Sequence, residues 1–208
     1  MIKTSALSYQ YEKANPIEFP DFEVKSGEDL LILGRSGIGK STLLHLLAGL
    51  LTPKTGIVEI AGQNLGKLRG NERDNFRGRN LGIVFQQFHF VQSLTLWENL
   101  LLTQFLARSE QRKSEIEEVL KKLSLVDQAK KYPKNMSHGQ QQRALIAAAL
   151  LKKPNVILAD EPTSSLDDYN CGQVIELLRK QTQDLGATLV VITHDSRLKA
   201  QFERRLDL

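Results

Sequence analysis

Gly34-Arg35-Ser36-Gly37-Ile38-Gly39-Lys40-Ser41 constrains this chain more than any other stretch. Residues 29–33 before it form a short apolar run, as in a strand buried on both faces. Residues 41–51 after it have continuous helical character, stopped by Thr52-Pro53-Lys54-Thr55-Gly56. Strand, G-x-x-x-x-G-K-S and helix in that order make a phosphate-binding loop. Glycines let the backbone wrap closely, so several N–H groups point inward, and the helix start adds its positive end. On this reading Lys40 reaches β- and γ-phosphates and Ser41 ligands Mg²⁺.

The rest of the chain divides by periodicity. Residues 17–24 alternate roughly apolar and polar, with Pro16 and Pro20 marking an irregular or edge strand. Further strands are expected at 57–60, 81–85, 156–159 and 188–193, with a last one near Arg205-Leu206. Residues 94–106 and 114–125 carry apolar residues at helical spacing, and 168–182 reads as another helix. Strands of parallel type alternating with helices give an α/β sandwich. No strand pattern interrupts the middle third, no repeat appears, and no Gly/Ser-rich linker separates the parts. One domain is therefore expected over 1–208, its core about 1–88 and 153–208, with a helical subdomain at about 89–152.

Composition narrows the class. Of 208 residues 41% are apolar and 25% charged, too apolar and too varied for a disordered chain. The longest apolar run, 144–151, is far short of the ~20 residues a spanning helix needs. Met1 to Ser5 has no apolar signal core behind it, and Cys171, the one cysteine, allows neither an internal disulfide nor a Cys-based zinc cluster. A cytosolic globular protein is the expectation. The +4 charge is ordinary, and the basic stretch Lys67, Arg69, Arg73, Arg77 and Arg79 is broken by Glu72 and Asp74 and holds only Phe76 as an aromatic. It reads as a solvated face, not a nucleic-acid surface.

Three further stretches carry chemistry. Val156-Ile157-Leu158-Ala159-Asp160-Glu161-Pro162 is an apolar strand ending in two carboxylates. Beside a phosphate loop, Asp160 is the candidate to complete the Mg²⁺ shell. Glu161, pointing the other way by strand alternation, is the candidate general base for a water in line with the γ-phosphate. His194 ends one buried strand, and Gln86 and Gln87 end another. Met136-Ser137-His138-Gly139-Gln140-Gln141-Gln142-Arg143 opens a helix, with Ser137 and Gln140 placed as a capping box.

In this order these features resemble one family, the ATP-binding subunits of ABC transporters, over the whole chain. The resemblance implies a P-loop (RecA-like) core with an antiparallel β subdomain and a helical insert. It implies ATP and Mg²⁺, with Gly34, Ser36, Gly37, Gly39, Lys40, Ser41 and Thr42 around the phosphates. Tyr11, or Tyr9 two residues away, looks like the aromatic that stacks on adenine. Head-to-tail pairing of two subunits is implied. Ser137, Gly139 and Gln140 would then face the ATP of the partner subunit, and Asp167, in Ser164-Ser165-Leu166-Asp167, would tie the two sites together. His194 would hold the attacking water's geometry, and Gln86 would sense Mg²⁺ and relay its state to the helical insert. A transmembrane permease would supply the membrane passage, leaving this chain peripheral on the inner face of the cell membrane, with no nucleic-acid partner.

Finer stretches (Ser41 to Leu47, Phe85-Gln86-Gln87-Phe88, Tyr132-Pro133) are similar to the LolD-like and MacB-like group, which serves lipoprotein release and macrolide export. They recur in bacterial importers and in the division-linked FtsE-like group, so an FtsE-like ATPase and a soluble ABC protein outside transport are the other readings. Residues 92–102, with Trp97 and Glu98, match the part of the family that receives the membrane subunit. Two departures stand out: His138 replaces the first glycine of the usual signature, and Ala148 stands where the group usually has arginine.

Overall fold

The structure is a computed structural model describing residues 1–12, 14–108, 112–163 and 166–208, with the backbone alone at 168–170. Ser164 and Ser165 lie outside the described residues. A parallel sheet runs through the centre in the order β10 (Arg205–Asp207), β4 (Asp29–Leu33), β9 (Thr188–Thr193), β8 (Val156–Asp160), β7 (Leu81–Val84). Its strands read as unbroken apolar runs because both faces are covered. Alternate residues go to opposite cores. Leu30, Ile32, Leu158, Val190 and Ile192 pack on the side of α1 (Lys40–Leu47). Leu31, Ile157, Ala159, Leu189 and Val191 pack toward α5 (His138–Leu150) and α6 (Asp168–Asp184). Gly82 in β7 lets α5 close on the sheet, since a Cβ there would lie 2.7 Å from the Ala149 carbonyl oxygen.

The second sheet is antiparallel. β1 (Ile2–Tyr9) pairs with β2 (Ile17–Glu18), β3 (Phe22–Val24) and β5 (Thr55–Ile60), which pairs in turn with β6 (Gln63–Asn64). The single strand expected at 17–24 is thus two, split where Pro20 denies the ladder a donor. The chain also holds a strand, β1, and a helix, α2 (Asn71–Asn80), that periodicity did not indicate. Helix α1 is shorter than the 41–51 expectation: it stops at Leu47, and Gly49 turns the chain out with φ +65°.

Between β7 and α5 the chain is helical, with α3 (Leu96–Leu106) and α4 (Lys113–Lys122). Thr95 caps α3 reciprocally with Glu98, and Trp97 packs against the second core. The mixed parallel and antiparallel layers with an attached helical region match the expected α/β class.

Candidate active site

Parallel register brings four strand ends to one edge. Leu33 pairs with Thr193, Asp160 with Ile192, and Val84 with Ala159. Whatever follows those strands therefore converges there: the loop 34–39, His194, Glu161 and the Gln86 segment. Open α/β sheets place ligands at this carboxyl edge.

The loop enters α1 through Gly39, whose φ of +106° is closed to most side chains, and no side chain caps the helix. The first turn's N–H groups are left for something else. Lys40 is buried, its Nζ donating to the Arg35 carbonyl at 3.1 Å and lying 3.5 Å from Glu161 Oε1. Loop lysine and strand-end carboxylate are thus brought together. Ser41 stands beside Asp160.

Asp160 and Glu161 differ sharply in surroundings. Burial pushes the Asp160 carboxyl up, aided by the Glu161 charge, while the Ser41 hydroxyl, His45 and Lys40 pull the other way. Its Oδ1 is buried with no hydrogen-bond partner among the described residues. Glu161 is also buried, which raises its pKa, but hydrogen bonds from the His194 ring and the Thr193 hydroxyl outweigh this and leave it below the usual range. Thr193 Oγ1 lies 2.7 Å from Oε2, and His194 Nδ1 lies 2.8 Å from Oε1. Strand alternation, the expectation from sequence, is not what aims Glu161. β8 ends at Asp160, and Glu161 turns out of it with φ +47°, a conformation rare for a side chain of this size.

The remaining candidates fall around this centre. Tyr11 is exposed, its hydroxyl 3.1 Å from Thr42 Oγ1, and its ring meets Tyr9 edge-on at 4.8 Å. Gln86 is exposed just past β7, which ends at Val84 and not at Phe85. Ser137 and Gln140 form the expected capping box: Ser137 Oγ accepts from Gln140 N and Gln140 Oε1 from Ser137 N. Among the described residues no hydrogen bond or ion pair joins Ser137, Gly139 or Gln140 to the loop 34–41. His138 instead sets its ring edge-on to Phe88, 5.1 Å away. Asp167 is exposed at the start of α6, its carbonyl accepting from Cys171 N.

Sequence reasoning did not single out Thr193, Asp195 or Arg197. Thr193 bridges the site, its hydroxyl donating to Glu161 and accepting from Asp195 N at 3.0 Å. Only the polar residues closing an otherwise apolar strand hinted at it.

Comparison with known proteins agrees with this geometry. The family described as ABC transporter matches residues 18–164. The methionine import ATP-binding protein MetN 2 of Enterococcus faecalis is 43% identical over 185 residues, 88% of this chain but 53% of that protein. The chain thus spans about half the length of that relative. The lipoprotein-releasing system ATP-binding protein LolD of Xanthomonas axonopodis pv. citri is 37% identical over 214 residues, all of this chain and 88% of LolD. Among solved structures, a dimeric post-hydrolysis state of the ATP-binding cassette MJ0796 bound to ADP and Pi superposes with TM-score 0.90 at 35% identity. It covers all of this chain and 94% of the other.

Proposed function

The chain belongs to the ABC transporter family as an ATP-hydrolysing cassette, and from that premise we propose that two copies pair head to tail and drive a separate membrane permease. The observation carrying this is the contrast at Gly139. It sits inside α5 at an ordinary φ, and a Cβ there would meet nothing within 4 Å. Nothing within this chain asks for a glycine at this second helical position. Gly139 is half-buried, and the open space beside its bare backbone is where phosphate held by a second copy can approach.

In this reading residues 34–42 wrap the phosphates and Tyr11, or Tyr9, takes the adenine. Asp160 and Ser41 fit Mg²⁺: a buried carboxylate oxygen lacking a partner and a hydroxyl beside it are the hard oxygen donors this ion takes. Bound there, the ion neutralises phosphate charge. Gln86 would complete that shell from the end of β7. Glu161 is already ionised near neutrality, so it can accept a proton from water, while His194 and Thr193 hold its two oxygens. Lys40 must exchange Glu161 and the Arg35 carbonyl for phosphate. Ser137, Gly139 and Gln140 act on the partner's nucleotide, and Asp167 contacts the partner.

The whole chain acts as one domain, with 89–152 its helical subdomain. No described helix is long and apolar enough to cross a membrane, so passage belongs to the permease, with this chain docked at the inner membrane face. Alignment with LolD over all of the chain supports a release or efflux type. Phosphate release from MgATP tests the core of the reading. Glu161→Gln should lower turnover by about two orders of magnitude or more and hold an ATP-bound dimer; turnover equal to wild type would remove Glu161 as the base.

A further inference from the structure

The turn after β9 carries an ion pair that the proposed chemistry does not use. The Arg197 guanidinium grips Asp195 through Nε, 2.9 Å from Oδ1, and Nη2, 2.7 Å from Oδ2. That fork holds the Asp195 carboxyl down to about 2. The same guanidinium reaches the Leu166 carbonyl, with Nη2 and Nη1 at 3.4 and 3.5 Å. Thr163 Oγ1 donates to Asp195 Oδ2 at 3.2 Å, and Cys171 Sγ lies 3.7 Å from the same oxygen. Thr163 and Leu166 are joined by a backbone bond of 3.1 Å. Thr163 and the start of α6 are therefore fastened to the Asp195 carboxylate, and Leu166 to the arginine that grips it.

That carboxylate sits one residue from His194 and shares its backbone with the site. Asp195 N donates to Thr193 Oγ1, which donates to Glu161 Oε2. A continuous chain runs from Glu161 through Thr193 and Asp195 to Arg197 and the Leu166 carbonyl. We propose that Arg197 is a positioning residue: it latches the stretch carrying Asp167 to the turn carrying His194, so that seating of the partner subunit against Asp167 sets the placement of Glu161. This rests on the head-to-tail dimer reading. The planar fork of arginine suits the task, since it can hold a carboxylate and a carbonyl together, which a lysine point charge does less well.

Arg197→Ala and Arg197→Lys in the full chain test the latch by ATP turnover, KM, melting temperature and the ATP-held dimer measured with Glu161→Gln. Arg197→Ala should lower kcat about tenfold or more, leave KM within about twofold, and loosen the ATP-held dimer by a similar factor. Arg197→Lys should recover part of both. Unchanged kcat in Arg197→Ala overturns the latch. So does a fall in kcat matched by a rise in KM and by a lower melting temperature that Lys restores, because that pattern is only structural. A wild type that hydrolyses ATP with turnover strictly proportional to protein concentration and never dimerises defeats the dimer reading instead. The latch's hold on Glu161 is then judged on kcat alone, loss supporting it and no loss overturning it.

Discussion

Two helix N-termini in this molecule are finished in opposite ways. α1 begins at a left-handed glycine with no side-chain cap, and its first residue, Lys40, is buried. α5 begins at Ser137, which closes a reciprocal box with Gln140 and satisfies two of the N–H groups at its end. Both ends carry the same partial positive charge. The first is held open by backbone geometry; the second is partly closed by side chains, which pair the Ser137 and Gln140 N–H groups and leave those of His138 and Gly139 outside the box. An open end can take phosphate in the lone subunit. A self-capped end is stable without ligand, and it suits a surface that meets phosphate only when a second subunit brings it.

The largest effect should come from the open end. Lys40→Ala removes the cation that faces Glu161 and the loop, and ATP turnover should fall by about 10² to 10³-fold. A smaller loss would mean the open helix end alone holds the phosphates. Asp160→Asn sharpens the same contrast through stability. Burial raises the Asp160 pKa, so the folded state holds the proton more tightly than the unfolded chain. The wild type therefore loses stability as pH rises from the unfolded value near 3.8 through the raised native one. In nucleotide-free protein, Asp160→Asn should gain about 1 kcal/mol at neutral pH, with no gain in acid, while losing Mg²⁺-dependent turnover. Denaturant melts at two pH values check the sign. The smallest effect belongs to the closed end: Ser137→Ala should cost about 1 kcal/mol of stability without nucleotide, because it is a cap first. No loss there would break the comparison.

Most of this site could be read before folding because it rests on short-range pattern. The glycine loop, the strand ending in Asp160 and the Ser137–Gln140 box each lie within a few residues. The central strands were legible because both faces are covered. β1 was not, since its alternation fails where Ala6 takes φ +47° and the register with β5 shifts between Ser5 and Ser8. α2 buries no residue, so no apolar period marks it. Phe76 alone packs partly on the core, and arginines fasten the rest, Arg73 on Leu68 O and Thr52, and Arg77 on Gly49 O. The bonds around Glu161 join residues more than thirty apart, Thr193 and His194 among them, and only folding shows them. What aims Glu161 is likewise hidden in sequence: the strand ends at Asp160, and the turn with φ +47° sets it.

The central claim is that the open end of one subunit and the closed end of another share a nucleotide. Gly139→Asp is a clean lesion for it, since the space beside Gly139 is empty within the chain. Lys40→Ala and Gly139→Asp subunits should each be inactive alone, and mixed in equal amounts they should recover about a quarter of wild-type turnover. Half of the pairs would be mixed, each with one whole site of two. A mixture as inactive as its components, with mixed pairs shown to form, would contradict the account.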